Sequence, residues 1–148
     1  MSKYVNLVLL YTIFILDYLT KVCIKNHFKV YESKFICYFI NFIYIKNYGI
    51  AFNYFEGNSQ YFKYILFIIN IIIIIYIIKK YPVFNKNIGY ILVLGGSLGN
   101  LFDRLYYGYV IDFIDIHIKN YHFAIFNISD LSIFIGMIIF LNFKHNIY

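Results

Sequence analysis

Seven acidic residues stand in this chain of 148. Five of them, Asp17, Asp103, Asp112, Asp115 and Asp130, lie within apolar stretches or at their ends. An ionised aspartate at the centre of a bilayer costs about 2.5–3.5 kcal/mol. A purely structural chain has little reason to bear that cost repeatedly, so each is a candidate for chemistry. Asp112 and Asp130 bracket one short connection between two apolar stretches. If the flanking helices are antiparallel neighbours, the two carboxyls meet. Two carboxylates at one site resist ionising together and share a proton. The charged one can take a proton from water while the neutral one donates a hydrogen bond to a peptide carbonyl, and the pair titrates as a unit. That is the division of labour of an aspartic peptidase. Two other readings stand beside it. Each Asp caps a helix at the membrane interface, or the same buried carboxylates form the relay of a small transporter or proton-conducting subunit. A relay would spread its acids through the depth of the bilayer. Here they cluster at the outer ends of two spans, which favours the peptidase.

Other polar residues gather near the same ends. In Gly95-Gly96-Ser97-Leu98-Gly99-Asn100-Leu101-Phe102-Asp103-Arg104 the small residues let helices approach closely. Asn100, Asp103 and Arg104 fall at i, i+3 and i+4, a polar stripe one turn long. Arg104 is the only arginine of the chain, and its guanidinium fork suits Asp103, a backbone carbonyl or a lipid phosphate. Asn47-Tyr48-Gly49 is a weak turn signal. Asn127 precedes Asp130 by three, so it can orient that carboxylate or simply cap the helix. Asp17 and Lys21 at i+4 make a helical ion pair near the membrane surface or line the site. Other chemistries are disfavoured. No HExxH, GxSxG or GxxxxGK[ST] occurs, and His27, His117, His122 and His145 are scattered through loops and the tail. Cys23 and Cys37 have no metal-ligand spacing and read as small buried hydrophobes. No metal and no other cofactor is expected.

The elements that must position these groups belong in a bilayer. The chain is 62% hydrophobic, with a mean hydropathy of +0.69, where a soluble domain is about 45–50% apolar. Apolar stretches at about 4–22, 61–78, 88–105 and 126–143 each approach the roughly 20 residues that cross a bilayer as a helix. The expected fold is an all-α membrane protein, one domain over 1–148, with four transmembrane helices. The start of the chain reads as a retained first span rather than a cleaved signal peptide. Lys79, Lys80 and Lys86, with Lys3 and Lys144, place both termini in the cytoplasm. The connections at about 23–60 and 106–125 then face outside. The first alternates and is rich in aromatics, as in Phe35-Ile36-Cys37-Tyr38-Phe39-Ile40, and predicts a small β-structured extracytoplasmic platform. The net charge of +6 sits largely in connecting lysines, which points to phospholipid headgroups and not to nucleic acid.

In this order the clusters resemble the bacterial lipoprotein signal peptidase family, signal peptidase II. The matching patterns are D-x-x-x-K at Asp17 to Lys21, N-x-G-x-A-F at Asn47 to Phe52, and G-G-x-x-G-N-x-x-D-R at Gly95 to Arg104. G-x-V-x-D-F follows at Gly108 to Phe113, and F-N-x-A-D at Phe126 to Asp130 with Ser129 in place of Ala. The Pro common before the Phe-Asn pair is absent. The resemblance covers nearly the whole chain. It implies four spans in the cell membrane with an outer β-cradle, and cleavage of lipid-modified prolipoproteins just before the diacylglyceryl cysteine. It also implies catalytic aspartates at Asp112 and Asp130, with Asp17, Asn47, Asn100, Asp103, Arg104 and Asn127 around them. Which Asp is the base stays open. Asp103 reads as support beside Arg104, and Asp115 as a surface carboxylate. A monomer working with prolipoprotein and phospholipid is expected.

Overall fold

The computed structural model describes residues 3–49, 59–84 and 88–145. Ile50, Ala51 and Phe52 of the second motif, Glu56 and Lys86 lie outside the described residues. Among the described residues four helices are formed: α1 (Lys3–His27), α2 (Ser59–Phe84), α3 (Ile88–Tyr106) and α4 (Ile128–His145). Four strands are formed as well: β1 (Ser33–Cys37), β2 (Ile40–Asn47), β3 (Val110–Ile118) and β4 (Tyr121–Phe126). The strands make one antiparallel sheet in the order β1-β2-β3-β4.

The sheet therefore draws on both connections. The sequence pattern assigns β structure to the first only, and the stretch 106–125 is two strands rather than an outer loop. The reason lies in β3. Ile111, Phe113, Asp115 and His117 alternate as one buried face, but Val110 and Asp112 are also buried, and this blurs the period of two.

α1 runs past the apolar stretch that ends at Val22. Its last turn carries Lys25, a cation that suits the negative end of a helix. Asn6, Ile13, Asp17, Lys21 and Ile24 are its buried stripe. Ile24 then packs with Tyr44, Ile111 and Phe113, which fastens the sheet to the end of α1. Among the described residues Tyr4–His27 alone is long and apolar enough to cross a membrane, and Phe67–Tyr76 and Ile128–Leu141 are shorter apolar runs.

α3 is the central helix, packed against α1, α2 and α4. Its glycines explain how. A Cβ on Gly95 would press on Ile13 of α1, and one on Gly96 would strike the Ser129 carbonyl of α4. At the far end of the same contact, a Cβ on Gly136 would lie 2.7 Å from the Gly89 carbonyl oxygen. These backbones touch because no side chain separates them. Gly136→Val should cost about 1–3 kcal/mol of overpacking. Thermal unfolding in detergent should show a lower midpoint, and an unchanged one would mean that the helices do not approach this closely.

Candidate active site

Asn127 follows β4 directly and caps α4. Its Oδ1 accepts the Asp130 N–H at 2.8 Å, and its own N–H faces Asp130 Oδ2 at 3.4 Å. This is a reciprocal capping arrangement at the first turn of a helix. The capping and orienting roles of Asn127 are thus the same geometry. Its Nδ2 donates to Asp112 Oδ1 at 2.8 Å and also faces the Ile111 carbonyl and Asn100 Oδ1, each at 3.3 Å. One fully buried side chain therefore contacts both carboxyl-bearing residues.

Asp112 is held from its other side by Asn47, whose Nδ2 donates to Oδ2 at 2.7 Å. Asn47 cannot turn its amide round, because its Oδ1 accepts the Gly49 N–H at 2.7 Å. That turn needs Gly49 at φ 97°, a left-handed conformation open to glycine. β2–β3 pairing sets Asn47 opposite Val110, and Ile45 opposite Asp112. Asp112 is only 3% exposed. Burial foremost, and then the Asp130 carboxyl, push it up to about 7, against the lowering effect of the Asn47 and Asn127 hydrogen bonds.

Asp130 Oδ1 accepts from Asn100 Nδ2 at 2.7 Å. The orientation of the Asn100 amide is set by Lys21, whose Nζ donates to Asn100 Oδ1 at 3.2 Å. The same ammonium lies 2.6 Å from Asp17 and 2.9 Å from Asp103. Asp17 in turn accepts the Ser129 N–H at 2.8 Å, and Asp103 accepts the Ile111 N–H at 3.1 Å. Asp17 and Lys21 are therefore a helical ion pair that is buried and joined to Asn100 and Asp103. A Cβ at Gly99 would collide with Ser129 Oγ and Asp17, so the G-N spacing of the long motif makes room for this network. The Ser129 hydroxyl is buried with no hydrogen-bond partner among the described residues.

Asp103 turns to Lys21, and of the partners open to Arg104 it is a backbone carbonyl, that of Asn100, that accepts from Nη1 at 3.3 Å. One expectation is corrected. Asp115 is 1% exposed, not a surface carboxylate. The inward face of β3 buries it, and His122 of β4 reaches it at 2.8 Å. His122 and His117 lie on strands with their rings 5.5 Å apart. Among the described residues no group of three His, Cys, Asp or Glu side chains is placed to hold a metal ion.

Two residues escape the sequence pattern. Lys21 figures there only as the partner of Asp17. Asn70 lies inside the isoleucine run of α2, where a lone polar residue in an apolar helix is the available signal. With its amide turned so that Nδ2 faces the Ser97 carbonyl, the orientation that satisfies both of its ends, it donates there at 3.1 Å and accepts from Arg104 Nη1 at 3.2 Å.

The family model described as Signal peptidase (SPase) II matches residues 9–144. The chain belongs to this family. Signal peptidase II relatives resemble it along almost its whole length. The lipoprotein signal peptidase of Buchnera aphidicola subsp. Schizaphis graminum is 43% identical over 150 residues, covering 98% of this chain and 94% of that protein. That of Wigglesworthia glossinidia brevipalpis is 42% identical over 137 residues, 90% and 89% of the two. A bacterial membrane enzyme solved by the in meso method superposes with a TM-score of 0.80 at 32% identity, over 97% of this chain and 89% of that one. A peptidase located in the membrane is thereby supported, and the transporter reading is not.

Lys21 gives the first test of the site. Lys21→Met leaves Asp17 and Asp103 buried without their cation, and removing one partner of such a group costs about 3–5 kcal/mol. Unfolding in detergent should shift by that amount. A variant as stable as the wild type would mean that the ammonium is not needed to compensate these acids.

Proposed function

We propose that the chain is an intramembrane aspartic endopeptidase that removes the signal peptide from lipid-modified prolipoproteins, cutting just before the diacylglyceryl cysteine. The observation that carries this reading is the contact of Asn127 with both Asp112 and Asp130. All four helices span the cell membrane, with both termini cytoplasmic and the sheet on the outer face. Lys79 and Lys80 near the end of α2, with Lys86 ahead of α3, support this orientation. The chain works as a monomer in contact with phospholipid, and no metal takes part.

Two hollows suit such a substrate. One of about 490 Å³ runs between α2, α3 and α4, with Ile69, Ile73, Val93, Ile133 and Met137 in its wall. It is apolar, as a signal-peptide helix or acyl chain requires. The other, of about 380 Å³, is bordered by Asn47, Tyr48, Gly108 and Tyr109. Arg104 borders both, where its guanidinium holds a backbone carbonyl of the bound peptide.

Asp112 starts as the acid and Asp130 as the base. Burial and the neighbouring carboxyl support a protonated Asp112 near neutrality. Asp130 takes a proton from water as the water oxygen attacks the scissile carbonyl carbon. Asp112 gives its proton to the carbonyl oxygen, forming a neutral tetrahedral diol. Asp130 then delivers its proton to the leaving nitrogen and the C–N bond breaks. Asp112 recovers a proton as the new carboxyl forms.

Asp112→Asn and Asp130→Asn should each abolish cleavage of a lipid-modified prolipoprotein while the protein still inserts and folds. Full activity in either variant would sink the pair. The pH dependence has a definite sign. The raised Asp112 value means that its proton is present below about 7 and lost above it. Because the reaction needs that proton, kcat/KM should fall as pH climbs through about 7. A rate that keeps rising there would contradict the assignment.

A further inference from the structure

Asn70 is the group that the proposed chemistry leaves unused. It sits midway along α2, between Ile69 and a run of five isoleucines. Ile68, Ile69, Ile72 and Ile73 are exposed on that helix, yet Asn70 is 9% exposed, and Ile74 one turn on is 8% exposed. α2 thus turns one amide inward against α3. An amide in an apolar layer is unfavourable unless its hydrogen bonds are made. The orientation of the amide follows from its neighbours: only with Nδ2 toward the Ser97 carbonyl and Oδ1 toward Arg104 Nη1 are both ends engaged.

The consequence falls on Arg104. Its Nη1 has two hydrogens, and two acceptors take them: the Asn100 carbonyl of its own helix at 3.3 Å and Asn70 Oδ1 of α2 at 3.2 Å. One anchor alone would let the guanidinium swing about the bond to it. Two anchors on one nitrogen fix the plane of the fork. Nη2 and Nε then have no hydrogen-bond partner among the described residues, and the residue borders both hollows.

We propose that Asn70 is a positioning residue: by clamping Arg104 Nη1 from α2, it aims the remaining N–H groups at the substrate backbone where the two hollows meet. This rests on the peptidase reading above and deepens it. Asn70 touches no reacting atom. It also couples α2 to the site, so the helix that walls the apolar groove sets the grip on the peptide beside it.

Two measurements on the full chain in detergent test this. In the first, a lipid-modified prolipoprotein is cleaved by the wild type, Asn70→Leu, Arg104→Gln and the double variant. Asn70→Leu should lower kcat/KM about tenfold, through KM and with kcat nearly kept, and should cost nothing further in the Arg104→Gln background. Equal losses in both backgrounds, a fall in kcat alone, or no effect would overturn the proposal. A wild type that cleaves nothing would instead refute the peptidase reading and leave the clamp to the second measurement. That one uses ¹⁵N-arginine, which labels Arg104 alone. The folded wild type should give separate Nη1 and Nη2 signals, merging in Asn70→Leu. A freely rotating guanidinium in the wild type would overturn the clamp, whether or not the variant folds.

Discussion

The Lys21 ammonium is the interaction on which the rest of the structure depends. It is 1% exposed and meets Asp17, Asp103 and Asn100 with its three hydrogens. A buried cation surrounded this way offsets two acids that would otherwise stand uncompensated in an apolar bundle. It also passes on geometry. Asn100 must present its oxygen to Lys21, so its NH2 must face Asp130. Asp103, fixed from the same point, accepts the Ile111 N–H and so holds the strand that carries Asp112. Asp17 does the equivalent for the first turn of α4 through Ser129.

The two carboxyls sit on different elements that this network holds together. Asp112 rides on a strand whose register is set by β2, and Asp130 on the N-terminal turn of a helix. Asn127 joins them because it stands directly between the end of β4 and the start of α4, where it caps the helix. Close helix contact is the second requirement. Without glycine at 96 and 99, α4 would stand away from α3, and Ser129 and Asp17 could not meet.

Much of this is legible in the sequence. The cost of burying aspartates marks five acids as candidates, the resemblance then separates Asp112 and Asp130 from Asp103 and Asp115, and the i, i+3, i+4 stripe of Asn100, Asp103 and Arg104 falls at the end of α3 beside them. Partners are harder to read than positions. Spacing pairs Asp103 with its neighbour Arg104, but its actual cation comes from a helix some 80 positions earlier, which no local pattern reports. Asp115 is misread because β3 is buried on both faces near Asp112, so alternation does not say which side is wet. The β3–β4 hairpin is hidden for the same reason, and Asn70 because an isoleucine run reads as plain membrane filler.

The central claim is that Asp112 holds the proton of the pair at neutral pH. An infrared titration of the carboxyl stretch, taken as the difference between the wild type and Asp112→Asn, measures that proton directly. The difference should contain one protonated carboxyl that disappears as pH rises through about 7. A difference spectrum showing Asp112 already ionised near pH 4–5, where an ordinary aspartate has lost its proton, would contradict the account.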